Sequence, residues 1–167
     1  MILAKPIRLA VAGLSLVAFT SASALAGERV SITGHYGGHD ESEVLELTDD
    51  HILITMIDHG SGYFIDPPND RTPFQFAAGL CRGTIEIKAG VASGDGWCVR
   101  TNPEGGRILL SWEVSPDTDT GIHGTWLAEG VSGNALGWKG GGTWDPVVET
   151  GDGNYVETFS GWVESPD

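Results

Sequence analysis

Short runs of alternating apolar and polar residues, separated by turn clusters, constrain this chain more than any other feature. In residues 107–114 (RILLSWEV), four apolar side chains fall on one face of an extended strand. Clusters of Gly, Pro, Asn and Asp separate such runs, as in residues 66–70 (DPPND) and 102–106 (NPEGG). Uninterrupted helix-forming runs are scarce after residue 26, so the sequence predicts an all-β fold. The predicted strands read RVSITGHY, VLEL, HILITMID, CRGTIEIKAGV, RILLSWEV, GIHGTWLAE and NYVETFSGWVE.

The close spacing of these strands predicts an antiparallel meander, because no helix lies between them. Closing the meander on itself removes exposed sheet edges. Glycines inside strands, such as Gly83 and Gly124, fit sharp coiling at barrel corners. We therefore expect a closed β-barrel of about eight strands, lipocalin-like in outline, in preference to a β-sandwich.

The first 26 residues have the pattern of a secretory signal peptide. Lys5 and Arg8 precede an apolar stretch at residues 9–19, and residues 24–26 (ALA) form a small-residue cleavage site. A membrane anchor is the alternative, but the apolar stretch is short for spanning a bilayer. We expect a signal peptide at 1–26 and one β-barrel domain at 27–167, located in the periplasm or secreted.

The charge balance excludes two classes of partner. The chain has 9 Lys and Arg against 23 Asp and Glu, which gives a net charge of −14. Such a surface repels nucleic-acid phosphates and anionic lipid headgroups. We therefore expect no nucleic-acid partner, and no membrane partner once the signal peptide is cleaved.

Three segments carry a resemblance to a known group of proteins. Residues 79–98 (GLCRGTIEIKAGVASGDGWC), 100–113 (RTNPEGGRILLSWE) and 121–144 (GIHGTWLAEGVSGNALGWKGGGTW) resemble small secreted bacterial β-barrels. These are similar to the barrel shared by allene oxide cyclase and the plant dirigent proteins. The resemblance implies an eight-stranded antiparallel barrel with an internal cavity, often oligomeric in its plant members, so a homo-oligomer is open. It also implies chemistry on reactive apolar intermediates without a cofactor, and it transfers no catalytic residue to this chain.

Cys81 and Cys98 are the only cysteines and predict a structural disulfide. If residues 91–96 (VASGDG) form the turn region, the two cysteines lie opposite each other on neighbouring strands. A secreted protein folds in an oxidising compartment. The C-x-x-C redox pattern and a four-ligand zinc pattern are both absent from the sequence.

Four mid-strand residues are candidates for general acid–base catalysis: Glu86, Glu113, His123 and Glu157. In a barrel each of these points either to solvent or into the lumen. An inward carboxylate among apolar side chains has a raised pKa and exchanges its proton near neutral pH. The outward orientation is the favoured interpretation.

Aromatic side chains supply the candidates for ligand binding: Tyr36, Tyr63, Phe64, Trp112 and Trp126. Aromatic residues also fill the cores of small barrels, which is their commoner role. The longest irregular run, residues 55–79, is a candidate lid over a barrel mouth.

Histidines clustered near the mature N-terminus are weak candidates for metal ligands: His35, His39 and His59. Imidazole groups bind zinc, copper or nickel. No strict metal motif contains them, so we expect neither a dedicated metal site nor another cofactor.

Three functions follow from this reading. The first is a periplasmic or secreted barrel that binds a small apolar molecule in its lumen. The second is a cofactor-free cyclase, isomerase or lyase acting on a reactive apolar molecule. The third is an envelope metal-binding protein that uses the N-terminal histidines. Periodicity alone does not identify which face of each strand lines the lumen.

Overall fold

The computed structural model describes residues 27–66, 72–116 and 121–167. The signal peptide predicted at residues 1–26 lies outside this described part of the chain. Within the described part, one antiparallel sheet of eight strands closes into a ring. The strands are β1 (Arg29–Thr48), β2 (His51–Ile65), β3 (Ala78–Lys88), β4 (Val91–Thr101), β5 (Arg107–Val114), β6 (Gly124–Ser132), β7 (Lys139–Glu149) and β8 (Asn154–Glu164).

Each strand pairs with the next strand along the chain, and β8 pairs with β1 to complete the ring. A short 3-10 turn, Gly133–Ala135, connects β6 to β7. The predicted all-β fold and the predicted closed antiparallel barrel of about eight strands are both confirmed.

Alternation along β5 shows which face lines the lumen. Ile108, Leu110 and Val114 are at most 4% exposed, whereas Leu109 on the opposite face is 43% exposed. The inner faces of all eight strands together form one core. The period-two pattern of the sequence therefore marks the wall of the barrel and its apolar interior.

The β3–β4 turn lies at a different place from the one predicted. It occupies Ala89 and Gly90, which both have positive φ angles (50° and 80°). Residues 91–96, predicted as a turn region, form the first half of β4 instead. The paired positions are still symmetric about the turn, so Cys81 lies directly opposite Cys98 and the predicted disulfide is confirmed.

The end of the barrel at the β2–β3, β4–β5 and β6–β7 connections, called here the lower end, is closed. Residues 72–77 form a compact turn across it, with Phe74 only 3% exposed. The Asn102 side chain holds this turn by donating hydrogen bonds to the Pro73 carbonyl (3.1 Å) and to Asn134 Oδ1 (2.9 Å). Of the run predicted as a lid, this part closes the lower end, and residues 55–65 belong to β2.

At the opposite, upper end, four strands continue beyond the ring. Pairing of β1 with β8 stops at His39, whereas pairing of β1 with β2 continues to Thr48. On the other side, β3 and β4 stay paired up to their turn, but β4 pairs with β5 only from Asp95 onwards. The projecting parts of β1 to β4 (residues 40–58 and 82–94) form a wall on one side of the upper opening, called here the upper wall.

Two glycines on the inner face make room for one tryptophan. A Cβ atom on Gly83 would lie 2.0 Å from Trp112 Cζ2, and one on Gly96 would lie 2.2 Å from the same atom. The Trp112 ring thus rests directly against the backbone of β3 and β4. These positions need glycine because any side chain would occupy the space of the ring.

We expect Gly83→Ala to destabilise the protein by about 1–3 kcal/mol, because the new methyl group forces Trp112 out of its position. Urea unfolding followed by tryptophan fluorescence measures this change. Gly151→Ala is the matched control, since nothing lies within 4 Å of its added Cβ. Equal stabilities of the two variants would show that the Trp112 contact does not constrain the inner wall.

Candidate functional site

A group of polar side chains lies inside the barrel, on the inner faces of four strands. This lumen cluster consists of Tyr36 on β1, Asp58 and Tyr63 on β2, Arg100 on β4, and Tyr155 and Glu157 on β8. Asp58 and Arg100 are each only 1% exposed. Burial of charged groups is costly unless they are compensated, so the cluster is the strongest candidate site in the described part of the molecule.

Strand register brings the cluster together. Tyr36 lies directly opposite Tyr63 on β2 and directly opposite Glu157 on β8. The Tyr36 ring centroid is 5.5 Å from that of Tyr63 and 5.6 Å from that of Tyr155. The closing pair of strands, β1 and β8, therefore supplies half of the site.

Arg100 reaches into this group from β4. Its Nη2 atom lies 3.2 Å from Cys81 Sγ and 3.7 Å from Cys98 Sγ. Its Cζ atom lies 4.5 Å from the ring centroid of Tyr63 and 5.2 Å from that of Tyr36. Cation–π attraction and contact with the disulfide thus hold the guanidinium at the centre of the lumen.

Each of the two carboxyl groups in the cluster has at least one oxygen that could accept a further hydrogen bond. Within the described residues, neither carboxylate oxygen of Asp58 has a hydrogen-bond partner of regular geometry, and the same holds for Glu157 Oε2. Burial raises the pKa of Tyr155, and the nearby charge of Asp58 and a hydrogen-bonding interaction with its carboxylate raise it further. Buried acceptors without donors are rare in folded proteins and commonly mark a site for a ligand, an ion or water.

Glu157 is poised to exchange a proton near neutral pH. Burial raises the pKa of its carboxyl group from 4.5 to about 7, against the lowering effect of a hydrogen bond from Tyr36. The negative charge of Asp58 raises this pKa, whereas Arg100 lowers it. Burial also raises the pKa of Tyr36 well above its ordinary value, so the Tyr36 hydroxyl stays neutral and can donate a hydrogen bond.

The lumen beside the cluster is almost filled. A cavity of about 10 Å³ is lined by Tyr36, Tyr63, Cys98, Arg100, Leu110, Trp112, Trp126, Trp144 and Phe159. This space is enough for about one water molecule. The internal cavity implied by the resemblance is therefore reduced to this small space at this level of the barrel, because aromatic side chains fill the rest.

Four of the five predicted ligand-binding residues line this cavity: Tyr36, Tyr63, Trp112 and Trp126. Phe64 does not, because it is 52% exposed on the outer face of β2 and packs against Phe76 with ring centroids 5.7 Å apart. The neighbouring residue Tyr63 takes the inward position in this strand.

The predicted acid–base candidates occupy different faces of the barrel. Glu86 and Glu113 alternate with inward-facing residues and lie on the outer face, where Glu86 Oε1 is 2.6 Å from His51 Nε2. His123 precedes β6, out of phase with inward-facing Trp126, and its Nδ1 is 3.0 Å from the Gly121 carbonyl oxygen. Glu157 is the candidate that faces the lumen.

The histidines do not form a metal centre in the described part of the chain. His35, His39 and His59 are exposed. His39 and His59 lie opposite each other on β1 and β2, but no group of three or more His, Cys, Asp or Glu side chains among the described residues is arranged to hold a metal ion.

Sequence reasoning missed Asp58, Arg100 and Tyr155. For two of these residues, the alternation pattern of the sequence contained a signal that could have identified them. Asp58 lies in phase with Ile54 and Met56, which pack on the core. Arg100 lies in phase with the buried Cys98. A charged residue in phase with core residues predicts a charge inside the barrel, although the phase is clear only when the inner face is known.

The chain matches no protein-family model and no curated protein. Across residues 27–66, 72–116 and 121–167, we find no helix of sufficient length and apolarity to span a bilayer. The argument for function therefore depends on the geometry of the lumen cluster.

We expect the stability of the protein to fall as pH rises through about 7, since protonated Glu157 stabilises the folded state. Its folded-state pKa of about 7 exceeds the ordinary value of 4.5. The stabilisation is complete below the lower value and lost above the higher one, and it amounts to about 3 kcal/mol at 1.36 kcal/mol per pKa unit. Urea unfolding across this pH range measures it.

Glu157→Gln should remove this component of the pH dependence, because glutamine does not titrate. Glu113→Gln on the outer face is the control and should retain the wild-type dependence. Parallel stability curves for the wild type and Glu157→Gln would show that the Glu157 carboxyl is hydrated.

Proposed function

We propose that this protein is an extracytoplasmic binding protein for a small, largely apolar molecule that carries one hydrogen-bond-donating group. The observation that carries the proposal is a pair of buried carboxyl groups in the lumen. Within the described residues, both oxygens of Asp58 and the Oε2 atom of Glu157 lack hydrogen-bond donors of regular geometry. A ligand hydroxyl or amine would supply that donor. A buried acceptor without a partner costs about 1–3 kcal/mol, which such a ligand would recover.

The proposed ligand enters from the upper end. The lower end is closed by residues 72–77 and Asn102. The upper wall carries Ile54, Met56 and Ile87, which are partly exposed and pack against the core. These side chains form an apolar surface that leads towards the lumen cluster.

The small size of the cavity limits the pose of the ligand. Since about 10 Å³ is open beside Arg100 and Trp112, the apolar body of the ligand stays on the upper wall. Its polar group alone reaches Asp58 and Glu157. A bulkier ligand would require Tyr36 or Trp112 to move.

The compartment and the resemblance both agree with this proposal. The disulfide between Cys81 and Cys98 fits an oxidising compartment outside the cytoplasm, as does the signal peptide predicted from the sequence. The resemblance to the allene oxide cyclase and dirigent barrels, which was inferred from the sequence segments alone, would imply the same broad class of apolar ligand.

A second candidate function is a cofactor-free isomerase, cyclase or lyase. The pKa of about 7 at Glu157 favours it, because a general base or acid works best when its pKa is near the operating pH. In an isomerisation, the Glu157 carboxylate would take a proton from one carbon and return it to another. As Glu157 takes the proton, the neutral Tyr36 hydroxyl would turn its O–H from Glu157 to the oxygen on which negative charge develops.

Fluorescence titration with N-phenyl-1-naphthylamine tests the binding proposal, because this probe has an apolar body and one N–H donor. We expect saturable binding that Glu157→Leu weakens by about tenfold, the loss of one hydrogen bond to a buried group. Glu113→Leu on the outer face is the control and should bind like the wild type. Absence of saturable binding, or equal binding by both variants, would contradict the proposal.

Native mass spectrometry of the protein purified from its own cell envelope identifies the natural ligand class. The added mass of a small organic molecule is expected, and a bare polypeptide mass in every preparation would count against a resident ligand. Incubating that molecule with the protein in deuterated water separates the two functions. Deuterium incorporation that requires Glu157 would favour the enzyme.

A further inference from the structure

Over the last eight residues of β1, one edge is left unpaired by the described strands. The Asp40 N–H donates to the Gly153 carbonyl at 2.8 Å, which is the last link between β1 and the β7–β8 turn. Beyond this point, β2 is the one described strand that pairs with β1. Residues 41–48, called here the β1 edge, are all exposed.

Alternate residues of the β1 edge direct their backbone N–H and C=O groups away from β2. Backbone groups of an antiparallel strand point alternately towards its two neighbours. The Asp40 N–H faces the β8 side, and the register with β2 is regular from His39 to Glu46. Ser42, Val44 and Glu46 therefore direct N–H and C=O groups to the open side, as a template for another strand.

Side chains of the β1 edge are acidic and apolar. Glu41, Glu43 and Glu46 lie within it, and no Lys or Arg does. Val44 and Leu45 are 55% and 53% exposed and point to opposite faces of the sheet. A partner strand therefore meets carboxylates together with an apolar side chain on either face.

Charge decides between two kinds of occupant. A second copy of the chain would bring the same acidic edge, on a molecule that carries a net charge of −14. Like charges across a strand pair destabilise it. A strand with Lys or Arg side chains instead gains opposite-charge pairs and faster association.

We propose that the β1 edge binds an extended, basic segment of another protein by strand addition. The bound segment continues the sheet beyond β1, with its backbone paired to Ser42, Val44 and Glu46. Its basic side chains lie near Glu41, Glu43 and Glu46, and its apolar side chains contact Val44 or Leu45. This interaction surface is separate from the lumen cluster and does not depend on the lumen being occupied.

Two capped octapeptides, acetyl-KVKVKVKV-amide and acetyl-EVEVEVEV-amide, serve as probes. Titration calorimetry should detect the lysine peptide and not the glutamate peptide. Bound lysine peptide should slow amide hydrogen exchange at Ser42, Val44 and Glu46, measured by NMR. Exchange at Glu43 and Leu45 should change less, since their N–H groups already face β2.

Val44→Pro is the decisive variant, because proline removes an N–H on the open edge and leaves the pairing with β2 intact. We expect it to weaken lysine-peptide binding by about fivefold or more, the value of one hydrogen bond. Val44→Thr retains the N–H and should bind like the wild type. If Val44→Pro fails to fold, as judged by circular dichroism, the double variant Glu41→Lys, Glu43→Lys replaces it and should shift preference towards the glutamate peptide.

Three outcomes would overturn the proposal. The first is that neither peptide binds. The second is that lysine-peptide binding is insensitive to Val44→Pro or, in the double variant, to charge reversal, which would indicate general attraction to an acidic surface. The third is a dimer, seen by light scattering, that the edge variant dissociates, which would make a second copy the occupant.

Discussion

A guanidinium buried at the centre of the lumen constrains the groups around it. Arg100 is 1% exposed, contacts both sulfur atoms of the disulfide and lies over two tyrosine rings. A cation in such a place is tolerated when opposite charge and aromatic faces compensate for lost hydration. Asp58 supplies negative charge in the same cluster, and Tyr36 and Tyr63 supply the aromatic faces. The same arrangement buries Glu157 near the negative charge of Asp58, and both burial and that charge raise the pKa of the Glu157 carboxyl.

The two ends of the barrel differ, and this difference determines the side from which the lumen cluster can be approached. Asn102 and residues 72–77 close the lower end through hydrogen bonds and a buried phenylalanine. At the upper end, strands that extend beyond their neighbours form the upper wall, from which Ile54, Met56 and Ile87 pack against the core. β1 contributes to both features, because residues 29–39 close the ring with β8 and residues 41–48 leave the ring with one side unpaired. Because β1 is long, the proposed ligand site and the proposed protein-binding edge lie on different parts of the same strand.

Much of the fold could be predicted from local patterns. The alternation in β5 and the symmetric cysteines follow from strand geometry, which is local. The β3–β4 turn could not be placed correctly, because Gly94 and Gly96 resemble turn residues. In the structure, a Cβ on Gly94 would lie 2.3 Å from the Thr84 carbonyl oxygen, and Gly96 lies against Trp112. These glycines are required by close packing between strands, which the sequence does not reveal.

The candidate site was less predictable than the fold, because it depends on which face of each strand is inner. Glu86 lies out of phase with the core residue Ile85, whereas Glu157 lies in phase with the core residue Phe159, a difference that is informative only once the inner face is known. Ring closure places Glu157 inside, opposite Tyr36, and Glu86 outside, beside His51. Asp58 follows a nearly continuous apolar run, in which both faces of β2 carry apolar side chains. Its burial, at 1% exposure and in phase with Ile54 and Met56, assigns it to the lumen.

The most direct test of the central claim is the protonation of Glu157 itself. The claim is that the lumen cluster is a desolvated site whose carboxyl groups are available to a ligand. Carbon-13 NMR of the Glu157 side-chain carboxyl, followed across a pH titration of the folded protein, reports this property at one atom. The account predicts a midpoint near the pKa of about 7 that burial produces. A midpoint close to the ordinary value of 4.5 would place the carboxyl in water and contradict the account.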